Sequence, residues 1–293
     1  MTYTLAPPRE DRIAVVGCGG TGGFVAEGLV RLGARLLLID GDRVEERNLG
    51  RQNFYPEDLG RFKAQALAER LALKYRVAVG YSVSPLLKEE EGHRGLLSDC
   101  GVVCGCVDNA PARAAIAAHV GPHQWWVDAG NGSEFGQVLI GNWGAEDRSE
   151  TCHSFIPMPG RRGPSTGPPV HFNPSTQVCD ALPLPTLVRP ELLVPGLPTH
   201  PAPAPGSCAA AVAAGEQGPT INLWMSALVV EAVRLLLEGR LTWWQAYLDL
   251  ETGGLRLVQA TPEGVAATMG VKLRPQKAQG KTLMEVFNGP RTP

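Results

Sequence analysis

A glycine-rich turn between an apolar strand and a helix constrains this chain more than any other feature. The stretch RIAVVGCGGTGG places Gly17, Gly19 and Gly22 in the spacing G-x-G-x-x-G, and the residues that follow have apolar side chains at helical spacing. Glycine lets the backbone approach a phosphate, and the free N–H groups at a helix start attract anions. The turn therefore predicts a nucleotide-binding α/β domain.

Strand and helix patterns alternate after this turn. The stretches RLLLID, VAVGYSVS, CGVVCGCVD and WWVDAG are predicted as strands, and KAQALAERLALKY and APARAAIAAHVG as helices. Continuous apolar strands separated by helices are typical of a parallel sheet covered on both faces. We therefore expect a doubly wound, mostly parallel, Rossmann-like α/β sheet.

The C-terminal half has a different character. A proline-rich crossover is predicted as irregular, TINLWMSALVVEAVRLLLEG as a long helix, and AYLDLETGGLRLVQA as an antiparallel hairpin that turns at Gly253 and Gly254. We interpret the 293 residues as a single domain. Its parts are the nucleotide-binding part 12–145, the crossover 150–207, the cysteine, helix and hairpin part 208–262, and a weakly patterned tail 263–293.

The near-neutral charge of the chain limits the kinds of partner that it can attract. With 27 Lys and Arg against 29 Asp and Glu, the net charge is -2, so no broad basic field would attract nucleic acid or an anionic membrane. The N-terminus has no apolar signal core, and Glu231 interrupts the apolar run LWMSALVV. We therefore expect a cytoplasmic protein, with its seven cysteines mostly reduced.

Polar residues after the second predicted strand point to the nucleotide. Asp40 ends that strand, where a carboxylate can accept hydrogen bonds from ribose hydroxyls. An NAD site gives no role to the residues that follow, Asn48, Arg51, Gln52 and Lys63. A nucleoside triphosphate does, because its leaving pyrophosphate calls for cations. The sequence therefore favours ATP, with Arg51 and Lys63 as a clamp on the phosphates.

Four blocks in order resemble the nucleotide site of the ThiF/MoeB/ubiquitin-activating enzyme superfamily. They are VVGCGGTGG, LLLIDGDRVEERNLGRQ, DLGRFKA and CVDNAPAR. The resemblance covers residues 12–145 and resumes at SCAAAVAAGEQGPTINLWMSALVVEAVRLL. This second segment and the proline-rich crossover are most similar to the ThiF-family proteins of PRTRC systems, a set of co-encoded bacterial proteins.

The resemblance implies a role for each matching residue. Asp108 would hold Mg²⁺, for which a carboxylate facing phosphates is suited; alternatively, it caps the next helix, a need that Asn109 can also meet. Arg51, Lys63 and Asp108 would act in catalysis. The residues implied in the ATP site are Gly17, Gly19, Gly20, Gly22, Asp40, Asp42, Asn48, Arg51, Gln52 and Lys63.

Cys208 is the candidate nucleophile. It follows PAPAPGS and precedes AAAVAAG, so it is predicted at a helix start, where the dipole favours a thiolate. The resemblance also places the acceptor cysteine there. The alternatives are a small packing cysteine at this position, or Cys179 as the nucleophile.

Cys100, Cys104 and Cys106 are interpreted as core thiols. Cys104 and Cys106 would share one face of a buried strand. Relatives commonly carry two C-x-x-C pairs that bind structural zinc, and this sequence has none. A zinc site built from Cys152, His153, His171 and Cys179 stays an alternative.

Together these features predict an ATP-dependent adenylyltransferase. It would activate the C-terminal carboxylate of a small ubiquitin-like (β-grasp) or sulfur-carrier protein as an acyl-adenylate, and Cys208 can then form a thioester. The family resemblance implies a homodimer, and a conjugating enzyme is a further partner to consider. The alternatives are adenylation without a thioester, an NAD(P)-dependent oxidoreductase, and a non-catalytic subunit that binds the carrier.

Overall fold

The structure is a computed structural model that describes residues 2–86, 94–121, 123–143, 155–157, 170–195 and 218–273. Its strands are β1 (Thr4–Leu5), β2 (Arg12–Val16), β3 (Arg35–Ile39), β4 (Val79–Ser82), β5 (Cys100–Gly105), β6 (Trp125–Asn131), β7 (Phe135–Gly141), β8 (Phe155–Pro157), β9 (His171–Asn173), β10 (Val178–Ala181), β11 (Trp243–Asp249), β12 (Gly254–Gln259) and β13 (Val271–Leu273). Its α-helices are α1 (Gly20–Arg31), α2 (Lys63–Tyr75), α3 (Arg94–Leu97), α4 (Ala110–His119), α5 (Pro185–Val188), α6 (Pro219–Leu237) and α7 (Pro262–Met269).

A mixed sheet of eight strands forms the centre of the fold, in the order β4-β3-β2-β5-β6-β7-β11-β12. Strands β4 to β6 in this order are parallel, and β7, β11 and β12 are antiparallel. The predicted doubly wound sheet with a C-terminal hairpin is therefore confirmed. The chain proceeds from β2 to β4 on one side and from β5 to β6 on the other. Ligands of such sheets bind where the strand order reverses, at the carboxyl ends of the strands.

Helices cover both faces of the parallel strands, because alternate residues of each strand point in opposite directions. In β2, Ile13 and Val15 belong to one apolar cluster and Ala14 and Val16 to another. Helices α1, α2 and α6 pack on the first cluster, and α4 packs on the second. Because helices pack on both faces, the carboxyl ends of β2, β3, β5 and β6 are held at one edge of the sheet.

Helix α6 is apolar enough and long enough, by composition alone, to cross a membrane. Glu231 interrupts the uncharged run within this helix, and the helix continues to Leu237, as its pattern predicts. In the fold, α6 packs on α1 and on strands β6 and β7, and Ile221, Met225 and Val229 on its inner face are fully buried. Its apolar stripe therefore supplies part of the core of this domain.

Three parts of the fold were not predicted. Strand β7 follows β6 after a short turn, and its apolar run VLI was not assigned. Residues 171–193 lie in the predicted irregular crossover, yet β9 and β10 pair with each other and β10 pairs with β1. The predicted tail begins with α7 and β13, and β13 pairs with β8. Apart from β7, which has seven residues, these strands have two to four residues, too few to show a period of alternating apolar residues.

Candidate functional site

A cleft at the carboxyl edge of the sheet brings together most of the residues predicted for the nucleotide site. It lies where the strand order reverses, and its walls follow β2, β3, β5 and β6. The predicted residues that line it are Gly17, Gly19, Gly20, Asp40, Asp42, Arg51, Gln52, Lys63 and Asp108. Gly22 and Asn48 do not line it, and Cys208 lies outside the described residues.

The glycine turn makes the floor of the cleft. Gly17 has φ of +89°, which favours glycine, and a Cβ there would lie 2.5 Å from the Cys106 carbonyl oxygen. No side chain among the described residues caps the N-terminus of α1, so the N–H groups of its first turn keep their capacity to bind an anion. A Cβ on Gly22 would collide with the Gly17 carbonyl. Gly22 therefore lets α1 pack against the turn; it is not among the residues that line the cleft, and its contact with the phosphates stays a prediction.

Asp40 ties the glycine turn to the loop after β3. Its carboxylate accepts a hydrogen bond from the Cys18 N–H at 2.6 Å and another from the Asp42 N–H at 2.8 Å. Burial raises the pKa of Asp40, while these hydrogen bonds and nearby Lys63 act in the opposite direction. Each carboxylate oxygen keeps a second lone pair, so Asp40 can still accept from a ribose hydroxyl, the role that was predicted for it.

Lys63 and Arg51 both line the cleft, and only Lys63 of the two has an ion-pair partner among the described residues. Lys63 Nζ lies 2.9 Å from Asp42 Oδ2, and its N–H donates to the Asp42 carbonyl at 2.8 Å. The Lys63 side chain is 10% exposed and Asp42 is 75% exposed, so the lysine is the fixed member of the pair. The Arg51 guanidinium has no ion pair or hydrogen bond within the described part of the chain. It is therefore available to an anionic ligand.

Asn48 shapes the loop that carries Arg51. This buried residue accepts the N–H groups of Arg51 and Gln52 on its carbonyl oxygen, and its side-chain oxygen accepts the Glu45 N–H at 2.8 Å. Asn48 is not among the residues that line the cleft, because its side chain is used in this turn, and its contact with the triphosphate stays a prediction. The observed hydrogen bonds hold the backbone of Arg51 and Gln52.

Gln52 presents an unused acceptor at the cleft. Its Oε1 atom is buried and has no hydrogen-bond partner among the described residues. A buried acceptor without a donor costs free energy, which a ligand that donates a hydrogen bond would recover. A nucleotide offers such donors in its hydroxyl and amino groups, so the residues present fit the predicted ligand.

Asp108 follows β5 and faces the cleft. Asn109 is the cap of α4, since its Oδ1 accepts the Ala112 N–H at 2.9 Å. Its Nδ2 donates to Asp108 Oδ1 at 3.2 Å. The alternative role of Asp108 as the helix cap is therefore filled by its neighbour. The Asp108 carboxylate is exposed and suits a hard cation that keeps several waters.

The described cysteines are poor nucleophiles. Burial raises the pKa of Cys18 and Cys106 well above the ordinary value, and that of Cys104 to about 12, so these thiols stay protonated. Cys104 is thus the core thiol that was expected, whereas Cys106 is half-buried and lines the cleft. Cys179 is fully buried in β10 and does not line the cleft, which argues against the second candidate nucleophile.

The zinc alternative finds no support in the described residues. Within them, no group of three or more His, Cys, Asp or Glu side chains is arranged to hold a metal ion. Cys152 and His153 lie outside the described residues.

Several lining residues were missed from the sequence. Asn131 ends β6, and its position at the end of a strand was a usable signal. Pro85 and Leu86 form an apolar wall after β4, and Ala112 on α4 also lines the cleft. No local pattern distinguishes these three from ordinary apolar residues, because their place in the site depends on the packing of separate segments.

Comparisons with known proteins agree with this geometry. The sequence model of the ThiF family matches residues 8–248. Ubiquitin-like modifier-activating enzyme 5 of Drosophila willistoni is 31% identical over 144 residues, which are 42% of this chain and 33% of that protein. The ATP-dependent ubiquitin transferase-like protein Cap2 of Escherichia coli (strain TW11681) is 45% identical over 67 residues, 21% of this chain and 11% of that protein. The chain spans about one third or less of these relatives.

Two solved structures are similar in fold. E. coli MccB, crystallised with MccA-N7isoASN, superposes with a TM-score of 0.54 at 14% identity, over 85% of this chain and 64% of that chain. PaaA superposes with a TM-score of 0.51 at 17% identity, again over 85% of this chain and 64% of that chain. These similarities support the fold assignment.

Proposed function

This chain belongs to the ThiF family, and from that premise we propose that it is an ATP-dependent adenylyltransferase. Its substrate is the C-terminal carboxylate of a small ubiquitin-like or sulfur-carrier protein. The proposal draws support from the curated relatives, whose names describe activation or transfer of ubiquitin-like modifiers. One observation carries it: an arginine without an acidic partner in the described chain lies beside a lysine at a glycine turn.

The chemistry follows from these charges. A carboxylate oxygen of the carrier attacks the α-phosphorus of ATP, a new O–P bond forms, and the bond to the bridging oxygen breaks. Pyrophosphate leaves with that electron pair. Arg51 and Lys63 stabilise the charge that accumulates on the leaving group, and Asp40 orients the ribose.

Asp108 is the residue that would hold Mg²⁺. A cation bound there supplies additional positive charge to the phosphate oxygens. A single carboxylate is sufficient, because Mg²⁺ in such sites keeps several waters and takes its other ligands from phosphates.

Cys208 would carry the second step. Its thiolate attacks the carbonyl carbon of the acyl-adenylate, a C–S bond forms, and AMP leaves. Cys208 precedes Gly218 by ten residues, and Gly218 leads into α6 beside the glycine turn, where Asn222 touches the Arg51 loop. A chain of that length spans at most about 35 Å, which limits the distance from Cys208 to the cleft.

Calorimetry with Mg·ATP and with NAD⁺ tests the choice of nucleotide. We expect heat of binding with Mg·ATP and none with NAD⁺, because the cations serve a triphosphate. Arg51→Gln should weaken ATP binding. The matched control is Arg47→Gln on the same loop, since Arg47 is 74% exposed and paired with Glu45. Tight NAD⁺ binding without ATP binding would mean that the chain is an oxidoreductase.

Cys208→Ser separates adenylation from thioester transfer. Adenylation needs no thiol, so exchange of pyrophosphate into ATP should stay close to the wild-type rate. The covalent adduct with the carrier, seen as a mass increase that disappears with reducing agent, should be lost. Cys179→Ser is the control and should retain the adduct, because Cys179 is buried away from the cleft. If wild-type protein forms no adduct with its carrier, the adenylation-only reaction is the correct one.

A homodimer is the expected assembly. Leu223 and Trp224 on α6 are 50% and 54% exposed, and Phe24 of α1 lines the same groove as Leu223. Burial of this apolar surface in a second copy would stabilise the dimer. Analytical ultracentrifugation should give twice the mass of the chain, and Trp224→Arg should shift the sample toward monomer. A monomer at micromolar concentration would contradict this expectation.

The partners of the proposed reaction are the carrier protein and, where a thioester forms, a conjugating enzyme. The similarity to ThiF-family proteins of PRTRC systems stays a prediction. A small β-grasp protein ending in glycine, encoded beside this chain, would identify the carrier.

A further inference from the structure

Asn222 is a fully buried polar side chain in the first turn of α6, and it joins three separate elements of the cleft. Its Nδ2 donates to the Arg51 carbonyl at 3.2 Å. Its Oδ1 accepts from Asn131 Nδ2, at the end of β6, at 2.9 Å. The Thr21 hydroxyl, in the first turn of α1, lies 3.5 Å from the same oxygen. The amide thus links the arginine loop, the glycine turn and β6.

The neighbouring residues are shaped around this amide. A Cβ on Gly20 would collide with the Asn222 side chain, so glycine at position 20 makes room for it. One turn later, the buried Ser226 donates to the Thr21 carbonyl at 2.9 Å. The first turns of α1 and α6 are therefore held in one fixed relation at the phosphate end of the cleft.

Packing alone does not call for an amide at this position. Burying an amide costs free energy that its hydrogen bonds only offset, whereas an apolar side chain would join α6 to α1 without that cost. The amide adds a directional hydrogen bond to the main-chain carbonyl of Arg51. The Arg51 guanidinium has no partner in the described chain, so its orientation depends on its own backbone.

We propose that Asn222 is a positioning residue for Arg51. This inference rests on the proposed adenylation, in which Arg51 stabilises the leaving pyrophosphate. The Asn48 carbonyl accepts the Arg51 N–H, and the Asn222 side chain donates to the Arg51 carbonyl. The backbone of Arg51 is therefore hydrogen-bonded on both sides of its Cα atom. Asn222 lies below the cleft surface and is not among its lining residues, so it can influence a ligand only through the lining residues it contacts, Arg51, Asn131 and Thr21.

A double-mutant cycle on Mg·ATP binding tests the proposal. Asn222→Ala should lower the affinity of the full chain for Mg·ATP about tenfold, the effect of one misdirected hydrogen-bonding group. In an Arg51→Ala background the same change should lower affinity less than about twofold, because the group it positions is gone. An equal loss in both backgrounds would show that Asn222 is merely structural, and no loss in wild type would likewise overturn the proposal.

The matched control is Ser226→Ala. The Ser226 hydroxyl lies on the same buried face of α6 and contacts the carbonyls of Thr21 and Asn222, but it does not touch Arg51, so its removal weakens the packing of α6 on α1 and leaves the Asn222–Arg51 hydrogen bond in place. We expect its ATP affinity to stay within about twofold of wild type in both backgrounds. Loss of affinity equal to that of Asn222→Ala would show that any loosening of α6 has the same effect, and the proposal would fail.

A ligand-free measurement separates this inference from the proposed function. Asn222→Ala should speed hydrogen exchange at the Arg51 and Gln52 amides about tenfold, because their loop loses its anchor. Ser226→Ala should leave exchange at these amides unchanged. If wild-type protein binds no Mg·ATP, the proposed function is wrong, and this exchange experiment alone decides whether Asn222 positions Arg51. Unchanged exchange in Asn222→Ala would overturn the inference.

Discussion

Replacing Arg51 with alanine is expected to lower carrier-dependent exchange of pyrophosphate into ATP by about 10²–10³-fold, the typical cost of losing one charge-stabilising donor. The guanidinium faces the cleft and has no partner in the described chain, so its charge is available to the leaving group. Exchange of labelled pyrophosphate, measured with saturating carrier, reports this loss. Thermal unfolding should change little, because the side chain makes no hydrogen bond that holds the described fold together.

The control for this prediction is Arg47→Ala. It removes the same charge from the same loop, but Arg47 points to solvent and pairs with Glu45. Exchange should stay within about twofold of wild type, as expected for a screened surface charge. Normal exchange in Arg51→Ala would exclude Arg51 from the transition state. Lys63→Ala and Asp108→Ala should lower exchange as well, and normal exchange in Asp108→Ala would remove that residue from the metal role.

Replacing Arg113 with methionine is expected to destabilise the fold by about 3–5 kcal/mol, the cost of leaving one member of a buried ion pair alone. Arg113 on α4 and Asp128 on β6 are both 0% exposed, and Arg113 Nε lies 3.2 Å from both carboxylate oxygens. Burial raises the pKa of Asp128, against the opposing effect of Arg113. Urea unfolding monitored by tryptophan fluorescence gives the free energy of unfolding.

Two further variants make this prediction specific. Arg113→Met with Asp128→Leu should recover most of the lost stability, because no uncompensated charge is left buried. Arg234→Met removes an arginine from an exposed ion-pair group with Glu231 and Glu238 on α6, and it should change stability by less than about 1 kcal/mol. If Arg113→Met unfolds at the wild-type urea concentration, the pair contributes nothing and the prediction is wrong.

The Arg113–Asp128 pair also bears on the site. Arg113 ends the block CVDNAPAR, and the sequence interpretation assigned it no role. The pair joins α4 to the middle of β6, and α4 begins directly after Asp108 and Asn109. Arg113 thus helps to fix the start of α4, which directly follows Asp108.

The sequence by itself determined the fold class and most of the cleft. Apolar strands alternating with helices allow few arrangements other than a covered parallel sheet. Residues that follow such strands meet at one edge, whatever the details of packing. For this reason Gly17 and Asp40, which follow two different strands, could be assigned to one site from their positions, and the family resemblance added Asp108 after a third strand.

Only the tertiary structure decided which polar residues face the ligand and which support it. Asn48 and Arg51 lie three positions apart, yet one closes a turn and the other reaches the cleft. Asn222 meets Arg51 across 171 positions of sequence, and Arg113 meets Asp128 between a helix and a strand. Local patterns set backbone conformation, but side-chain partners depend on the register and packing of distant segments, which no local period encodes.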